Sequence, residues 1–192
     1  MNRIMVQTNI LKEKALLVSR RVILLLQQSG AEVLVSLEQQ QRIAELLPEE
    51  ARRRVCFLPE EEIYEACQVI VVVGGDGTIL RMAEPASRYH RPVLGVNCGT
   101  IGFMSEIEPE ELELLQQLLD GNYTRDDRIL LDVTVQDQTG QEVFRRAALN
   151  DAVVSRGFIN KVLPLTVCVD GQEVFSFGGD GVIIATPTGS TA

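Results

Sequence analysis

The first half of the chain alternates short apolar runs with longer stretches that carry apolar residues at helical spacing. The apolar runs predict strands at residues 4–7, 32–35, 55–58, 69–73 and 92–96. The stretches between them predict helices at residues 12–28, 37–47 and 59–66, one starting at residue 78, and one at 109–119. Strands that alternate with helices of this length predict a parallel sheet with helices on its faces, and ligands bind such sheets beyond the carboxyl ends of the strands.

After about residue 126 the pattern changes to the alternation that is typical of strands. Strands are predicted at residues 128–136, 142–149, 150–155, 165–169, 173–177 and 182–185, with turns at 137–140 and at Asp170–Gly171. The pattern therefore predicts an α/β domain over residues 1–125 and an all-β domain over residues 126–192. The hydroxyl-rich segment 186–192 is of a kind that leads into a helix, so we expect this β domain to be incomplete.

Composition and charge narrow the class of protein. Of the 192 residues, 45% are hydrophobic and 23% are charged, which is ordinary for a soluble protein. The longest apolar runs are far shorter than the ~20 residues that a membrane span needs, and no secretory signal is visible, so we expect a cytoplasmic protein that does not bind membranes. The net charge of −9 argues against a nucleic-acid binder, which needs a basic face.

The four cysteines, Cys56, Cys67, Cys98 and Cys168, show no Cys-x-x-Cys spacing, and His90 is the only histidine. A metal site built from these residues is not expected, and we interpret the cysteines as buried free thiols in a reducing compartment. His90 lies in a polar stretch, which predicts a solvated loop position.

The string Gly74-Gly75-Asp76-Gly77 follows the predicted strand at 69–73 and precedes a helix. A junction of this kind presents backbone N–H groups and the positive end of a helix to an anion. Asp76 is placed there to accept a proton from a hydroxyl or to help hold a metal ion. The alternative is an ordinary tight turn. A second glycine loop at residues 97–103 follows the next strand, and the two loops are candidates for the walls of a phosphate or ribose pocket.

Two further segments suggest chemistry in the second half. Asn150 and Asp151 are either a common loop pair or an amide and a carboxylate that bond a base edge or a ribose hydroxyl. Residues 180–192 form a predicted strand that feeds a loop with four hydroxyls and a glycine, which is more elaborate than structure alone requires.

In this order, the segments GGDGT, N-x-G-x-x-G-F, an Asn-acid pair and DG-x-I-x-A-TPTGSTA resemble the NAD kinase family, and the resemblance covers essentially the whole chain. It implies phosphorylation of the 2′-hydroxyl of the adenosine ribose of NAD, which gives NADP. The implied donor is ATP, another nucleoside triphosphate or polyphosphate, and the implied cofactor is a divalent metal cation such as Mg²⁺. The wider superfamily, with lipid kinases and 6-phosphofructokinases, shares a GGDG-like loop but not the TPTGSTA segment.

The resemblance also implies roles for individual residues. In the first half, Asp76 matches the proton acceptor, Gly77 lies beside it at the nucleotide, and Arg81 matches a basic residue near phosphate. In the second half, Asn150 and Asp151 match the pair that holds NAD.

The remaining implied contacts lie near the end of the chain. Asp180 matches the acid near the nicotinamide, Lys161 matches a further ligand contact, and Thr191 and Ala192 begin the stretch that lines the adenine. The family also implies a homo-oligomer for the full-length protein.

One departure from the family pattern concerns charge. Gly178 stands where family members commonly carry a basic residue, so that cation is either missing or supplied by Lys161 or Arg156.

Two alternative functions stay open at this point. One is a lipid or sugar kinase of the same superfamily, and the other is an inactive dinucleotide-binding fragment.

Overall fold

The computed structural model describes residues 3–99, 102–157 and 162–191. The chain divides into two compact units, Met1–Asp127 and Arg128–Ala192. The first is an α/β unit and the second is built from antiparallel strands, which confirms the predicted fold class.

The first unit follows the predicted alternation of strands and helices. Its strands are β1 (Arg3–Thr8), β2 (Glu32–Ser36), β3 (Val55–Leu58), β4 (Val69–Gly74) and β5 (Val93–Asn97). Its α-helices are α1 (Glu13–Gln28), α2 (Gln40–Leu46), α3 (Glu49–Arg53), α4 (Glu60–Ala66), α5 (Asp76–Arg88) and α6 (Leu115–Asp120). Short 3₁₀ turns at Leu37–Gln39 and Leu112–Leu114 lead into α2 and α6.

The five strands form one parallel sheet in the order β3-β2-β1-β4-β5. Side chains of β1 alternate between two cores. Ile4 and Val6 pack with α1 on one face, and Met5 packs with α4 and α5 on the other. The strand order reverses between β1 and β4, so a crevice opens there at the carboxyl ends of the strands.

Two of the predicted helices differ in extent from those of the structure, and a further helix was not predicted. The predicted helix at 37–47 is a 3₁₀ turn followed by the shorter α2, and α3 was not predicted. The helix predicted at 109–119 begins only at Leu112, because residues 106 and 107 first lie against the outer edge of β5.

Among the described residues, we find no helix with both the length and the apolarity to cross a membrane.

The described residues of the second unit form three antiparallel strand pairs. They are β6 (Leu131–Gln136) with β7 (Glu142–Ala148), β8 (Asp151–Ser155) with β11 (Gly181–Ala185), and β9 (Leu163–Val169) with β10 (Gln172–Gly179). Asp170 and Gly171 both have positive φ, 52° and 77°, which confirms the predicted hairpin turn. In the described part of this unit, no hydrophobic side chain is fully buried.

All four cysteines are free, as predicted, but their burial differs. Cys67 and Cys98 are buried and Cys56 is half-buried, whereas Cys168 is exposed. The prediction of a buried thiol is wrong for Cys168, because β9 belongs to a two-stranded sheet whose faces are largely uncovered. His90 is exposed, as predicted.

Candidate active site

The first glycine string does not form a separate loop, because the helix after β4 begins within it. Gly75 is the N-cap of α5, with extended φ and ψ, and its carbonyl accepts hydrogen bonds from the N–H groups of Thr78 and Ile79. Asp76 and Gly77 therefore lie in the first helical turn, whereas the sequence predicted a helix from Thr78. The Asp76 carboxylate lies at the end of α5 where the helix dipole is positive.

The second glycine loop supplies the hydrogen bonds that orient Asp76. The N–H of Phe103 donates to Asp76 Oδ2 at 3.1 Å, and the N–H of Met104 donates to Oδ1 at 3.3 Å. The N–H of Cys98 donates to the carbonyl of Gly74 at 2.7 Å, which joins the bases of the two loops. The structure thus brings the two loops together, as their positions after neighbouring strands predict.

A cleft of about 390 Å³ opens beside α5 at the carboxyl end of β1. Its walls come from the segment after β1, the 3₁₀ turn after β2, α4 and α5. The lining residues are Gln7, Thr8, Asn9, Ile10, Leu11, Glu38, Gln39, Glu60, Tyr64, Thr78, Arg81, Met82 and Pro85. Arg81 is exposed and lies in this cleft, whereas Asp76 and Gly77 are not among its lining residues.

The cleft combines one guanidinium, from Arg81, with two carboxylates. Burial raises the pKa of Glu60, and the nearby charge of Glu38 adds to that increase. Burial also raises the pKa of Tyr64, whose hydroxyl donates to Glu60 Oε2 at 3.4 Å. Gln7 also lines the cleft, and its buried Oε1 has no hydrogen-bond partner among the described residues.

In the second unit, the structure brings Asn150 and Asp151 next to the hydroxyl-rich segment. Asp151 pairs with Ala185 in the ladder of β8 and β11, and the N–H of Thr186 donates to the carbonyl of Asn150 at 2.8 Å. A Cβ at Gly189 would overlap that same carbonyl, so only glycine permits this approach. The Oδ1 of Asn150 is buried and has no hydrogen-bond partner among the described residues.

Asp180 is exposed between β10 and β11, and Arg156 lies beside it. Arg156 Nη1 is 3.1 Å from Asp180 Oδ1, and the Arg156 N–H donates to the Asp180 carbonyl at 3.0 Å. A Cβ at Gly178 would be 2.8 Å from Val162 Cγ1, so a longer side chain there would displace Val162. Among the described residues, the cation beside Asp180 is Arg156, and Lys161, the other candidate, lies outside them.

The remaining predicted contacts are Lys161, Thr191 and Ala192. Thr191 belongs to a terminal 3₁₀ turn at Gly189–Thr191, and its side chain is not described. Lys161 and Ala192 lie outside the described residues.

The described residues hold no group of three or more His, Cys, Asp or Glu side chains that could bind a metal ion. The described side chains therefore do not surround a metal ion by themselves. This arrangement is compatible with Mg²⁺, because Mg²⁺ in phosphoryl-transfer sites is held largely by water and substrate phosphates.

Several residues of this region were not singled out from the sequence. Asn9 Nδ2 donates to Thr78 Oγ1 at 3.4 Å, and the N–H of Thr8 donates to Gln39 Oε1 at 3.1 Å. Asn9 directly follows β1, so its position after a central strand was a usable signal. Gln39 gave no such signal, because its role depends on the pairing of β1 with β2.

These features define a class of protein in which a doubly wound α/β unit with a glycine-rich strand-to-helix junction precedes an antiparallel β unit. Residues 4–126 match the family model described as ATP-NAD kinase N-terminal domain, and residues 149–192 match that described as ATP-NAD kinase C-terminal domain. The chain belongs to the NAD kinase family.

Individual relatives agree with this assignment. The chain is 36% identical to an NAD kinase of Cellvibrio japonicus over 94% of this chain and 59% of that protein. It is 41% identical to an NAD kinase of Azotobacter vinelandii over 78% of this chain and 50% of that protein. The chain thus spans about half the length of the curated relatives it matches.

The fold is similar to that of a solved structure, yeast NADH kinase complexed with NADH. The TM-score is 0.81 at 24% sequence identity, over 100% of this chain and 59% of that one. At this level of identity the likeness is one of fold.

Proposed function

We propose that this chain belongs to an enzyme that transfers a phosphoryl group from ATP to the 2′-hydroxyl of the adenosine ribose of NAD, giving NADP. The observation that carries the proposal is the position of the Asp76 carboxylate. It lies in the first turn of α5 and accepts hydrogen bonds from the N–H groups of Phe103 and Met104. A single oriented carboxylate at a helix N-terminus suits proton acceptance beside phosphates.

In this mechanism Asp76 accepts the proton of the 2′-hydroxyl while the hydroxyl oxygen forms a bond to the γ-phosphorus of ATP. The bond from the γ-phosphorus to the bridging oxygen breaks, and ADP leaves. Bound Mg²⁺ would neutralise charge on the phosphates. The protein contributes mainly by positioning and by electrostatic stabilisation, as is general for phosphoryl transfer.

The cleft of the first unit is the candidate site for the donor. Its volume of about 390 Å³ lies within the range of small-molecule sites. Arg81 offers a cation for phosphate, and Thr78 and Asn9 offer polar groups. Inorganic polyphosphate is the alternative donor, and a direct comparison of the two donors in the turnover assay distinguishes them.

In the second unit, we assign NAD binding to Asn150 and Asp151, with Asp180 as a further contact. The unpartnered Oδ1 of Asn150 supports this assignment. Contacts from Lys161, Thr191 and Ala192 stay predictions from the family pattern, as does assembly into a homo-oligomer.

The test replaces Asp76 with Asn, which keeps the size of the side chain and removes its charge. We expect NADP formation to fall by roughly 10²–10⁴-fold, the usual contribution of a general base. We expect NAD affinity, measured by isothermal titration calorimetry, to change little. Asp120→Asn is the matched control, because Asp120 is an exposed acid at the end of α6.

The other possible outcomes lead to different conclusions. Unchanged turnover in Asp76→Asn would remove Asp76 from the mechanism. NAD binding by the unaltered chain with no turnover would favour an inactive dinucleotide-binding fragment. Phosphorylation of a lipid or sugar in place of NAD would favour another kinase of the superfamily.

A further inference from the structure

Asn97 connects the sheet to the loop that holds Asp76. It is the last residue of β5, pairs with Gly74 in the ladder and is only 5% exposed. Its Nδ2 donates to both carboxylate oxygens of Glu108, at 2.9 and 3.3 Å. Its Oδ1 accepts the N–H of Gly99 at 2.8 Å.

The described residues of the loop pack closely around this amide. A Cβ at Gly102 would be 2.9 Å from Asn97 Nδ2, so the backbone there approaches the amide directly. The next two residues, Phe103 and Met104, donate the N–H groups that hold the Asp76 carboxylate. The backbone of Asn97 is also fixed, since its N–H donates to the carbonyl of Ile107 at 2.8 Å.

Glu108 and the Gly99 N–H both favour the same orientation of the Asn97 amide. An Asn side chain presents an acceptor on one side and a donor on the other, and the two are nearly equal in size. An ionised carboxylate only accepts hydrogen bonds, so it selects the orientation with Nδ2 toward itself. In that orientation Oδ1 accepts the N–H of Gly99. In the reversed orientation the NH₂ group of Asn97 would face that N–H, and two donors would oppose each other.

We propose that Glu108 is a positioning residue for Asp76, acting through the Asn97 amide and the loop that follows it. The importance of this role for the reaction rests on the proposed function. The effect of Glu108 on the position of Asp76 is measured without turnover. Glu108 is exposed and does not contact Asp76, so nothing in its local sequence marks it as part of the site.

The test is amide hydrogen exchange of Phe103 and Met104, followed by NMR in this chain. Asp76→Ala defines the exchange rate without the carboxylate. We expect Glu108→Ala to speed exchange of both amides by roughly tenfold, toward that limit, because the loop opens locally. We expect Glu108→Gln to stay close to the unaltered chain, since its side-chain oxygen still accepts from Asn97.

Two controls separate positioning from general loss of structure. Glu110→Ala removes a nearby exposed acid that does not bond Asn97, and it should leave both amides unchanged. Amides of the buried strand β4 should keep their protection in every variant. A variant in which β4 also loses protection would show a structural role only, and would overturn the proposal.

Asn97→Asp provides an independent test, since it keeps an acceptor for Gly99 and removes the donor to Glu108. It should speed exchange of Phe103 and Met104 as Glu108→Ala does. Exchange within twofold of the unaltered chain in both variants would overturn the proposal. This failure is distinct from failure of the proposed function, which is measured by turnover of Asp76→Asn.

Discussion

His90 adopts a backbone conformation that is unfavourable for its residue type. Its φ is 54°, in the left-handed region, directly after the C-cap residue of α5. Its N–H donates to the carbonyl of Ser87, so the conformation is part of the helix end. Helices commonly end with glycine in this conformation, because a Cβ is destabilising there.

We therefore expect His90→Gly to raise the free energy of unfolding by about 0.5–1 kcal/mol, after the greater chain entropy of glycine is subtracted. The measurement is urea denaturation. Ser87→Gly is the matched control, since Ser87 is exposed within α5, and it should lower stability. A decrease in stability for His90→Gly would show that the imidazole makes a compensating contact.

At the scale of an element, α4 places a carboxyl group where ionisation is unfavourable. The pKa of Glu60 is raised above its ordinary value of 4.5, mainly by burial and then by Glu38. Between 4.5 and the raised pKa, the folded state binds more protons than the unfolded state. The free energy of unfolding attributable to this group consequently falls as pH rises through that window.

Glu60→Gln should reduce this fall in stability with rising pH. The measurement is the free energy of unfolding as a function of pH for the unaltered chain and the variant, and the difference between the two profiles isolates Glu60. Glu62→Gln is the control, because Glu62 is an exposed acid in the same first turn of α4. Identical profiles for Glu60→Gln and the unaltered chain would contradict the prediction.

The strands of the sheet could be predicted because their signal is local. The run Val69–Val73 is apolar at every position, and the structure buries all of it. The start of α6 could not be predicted from residues 109–119 alone. Its apolar spacing and acidic first turn are helical, but the pairing of Ile107 with Val96 takes that part of the chain to the sheet edge first.

The candidate site divides in the same way. The carboxylate of Asp76 and the pair Asn150–Asp151 could be chosen from the sequence, because glycines and strand ends mark their positions. Glu108 and Gln39 could not, since each acts on a residue that only the tertiary fold brings near. Local patterns thus identified the groups proposed for chemistry but not those that orient them.

At the scale of the molecule, the two units differ sharply in their cores. Every fully buried hydrophobic side chain of the described residues lies in the first unit, whereas the second exposes many large apolar side chains. These include Val153, Phe175, Ile183 and Ile184. The first unit therefore holds the hydrophobic stabilisation of the described chain.

We expect residues 1–127 to fold when expressed alone. They should melt cooperatively within about 4 °C of the chain's main transition, since ~1 kcal/mol shifts the Tm of a domain of this size by about that much. Residues 128–192 alone should show no cooperative transition. Circular dichroism during heating measures both. A fragment of residues 1–127 without a cooperative melt would show that its core depends on the second unit.

The return of residues 106 and 107 along β5 has a consequence for solubility. The N–H groups of Glu106 and Ile107 donate to the Gly95 carbonyl, and Ile107 bridges Val96 in parallel. An uncovered edge strand is a template for pairing with strands of other molecules, and here the chain itself occupies part of that edge. Residues 106 and 107 therefore also cover part of an edge at which strands of other molecules would pair, and we expect a change that detaches them to favour aggregation through this edge.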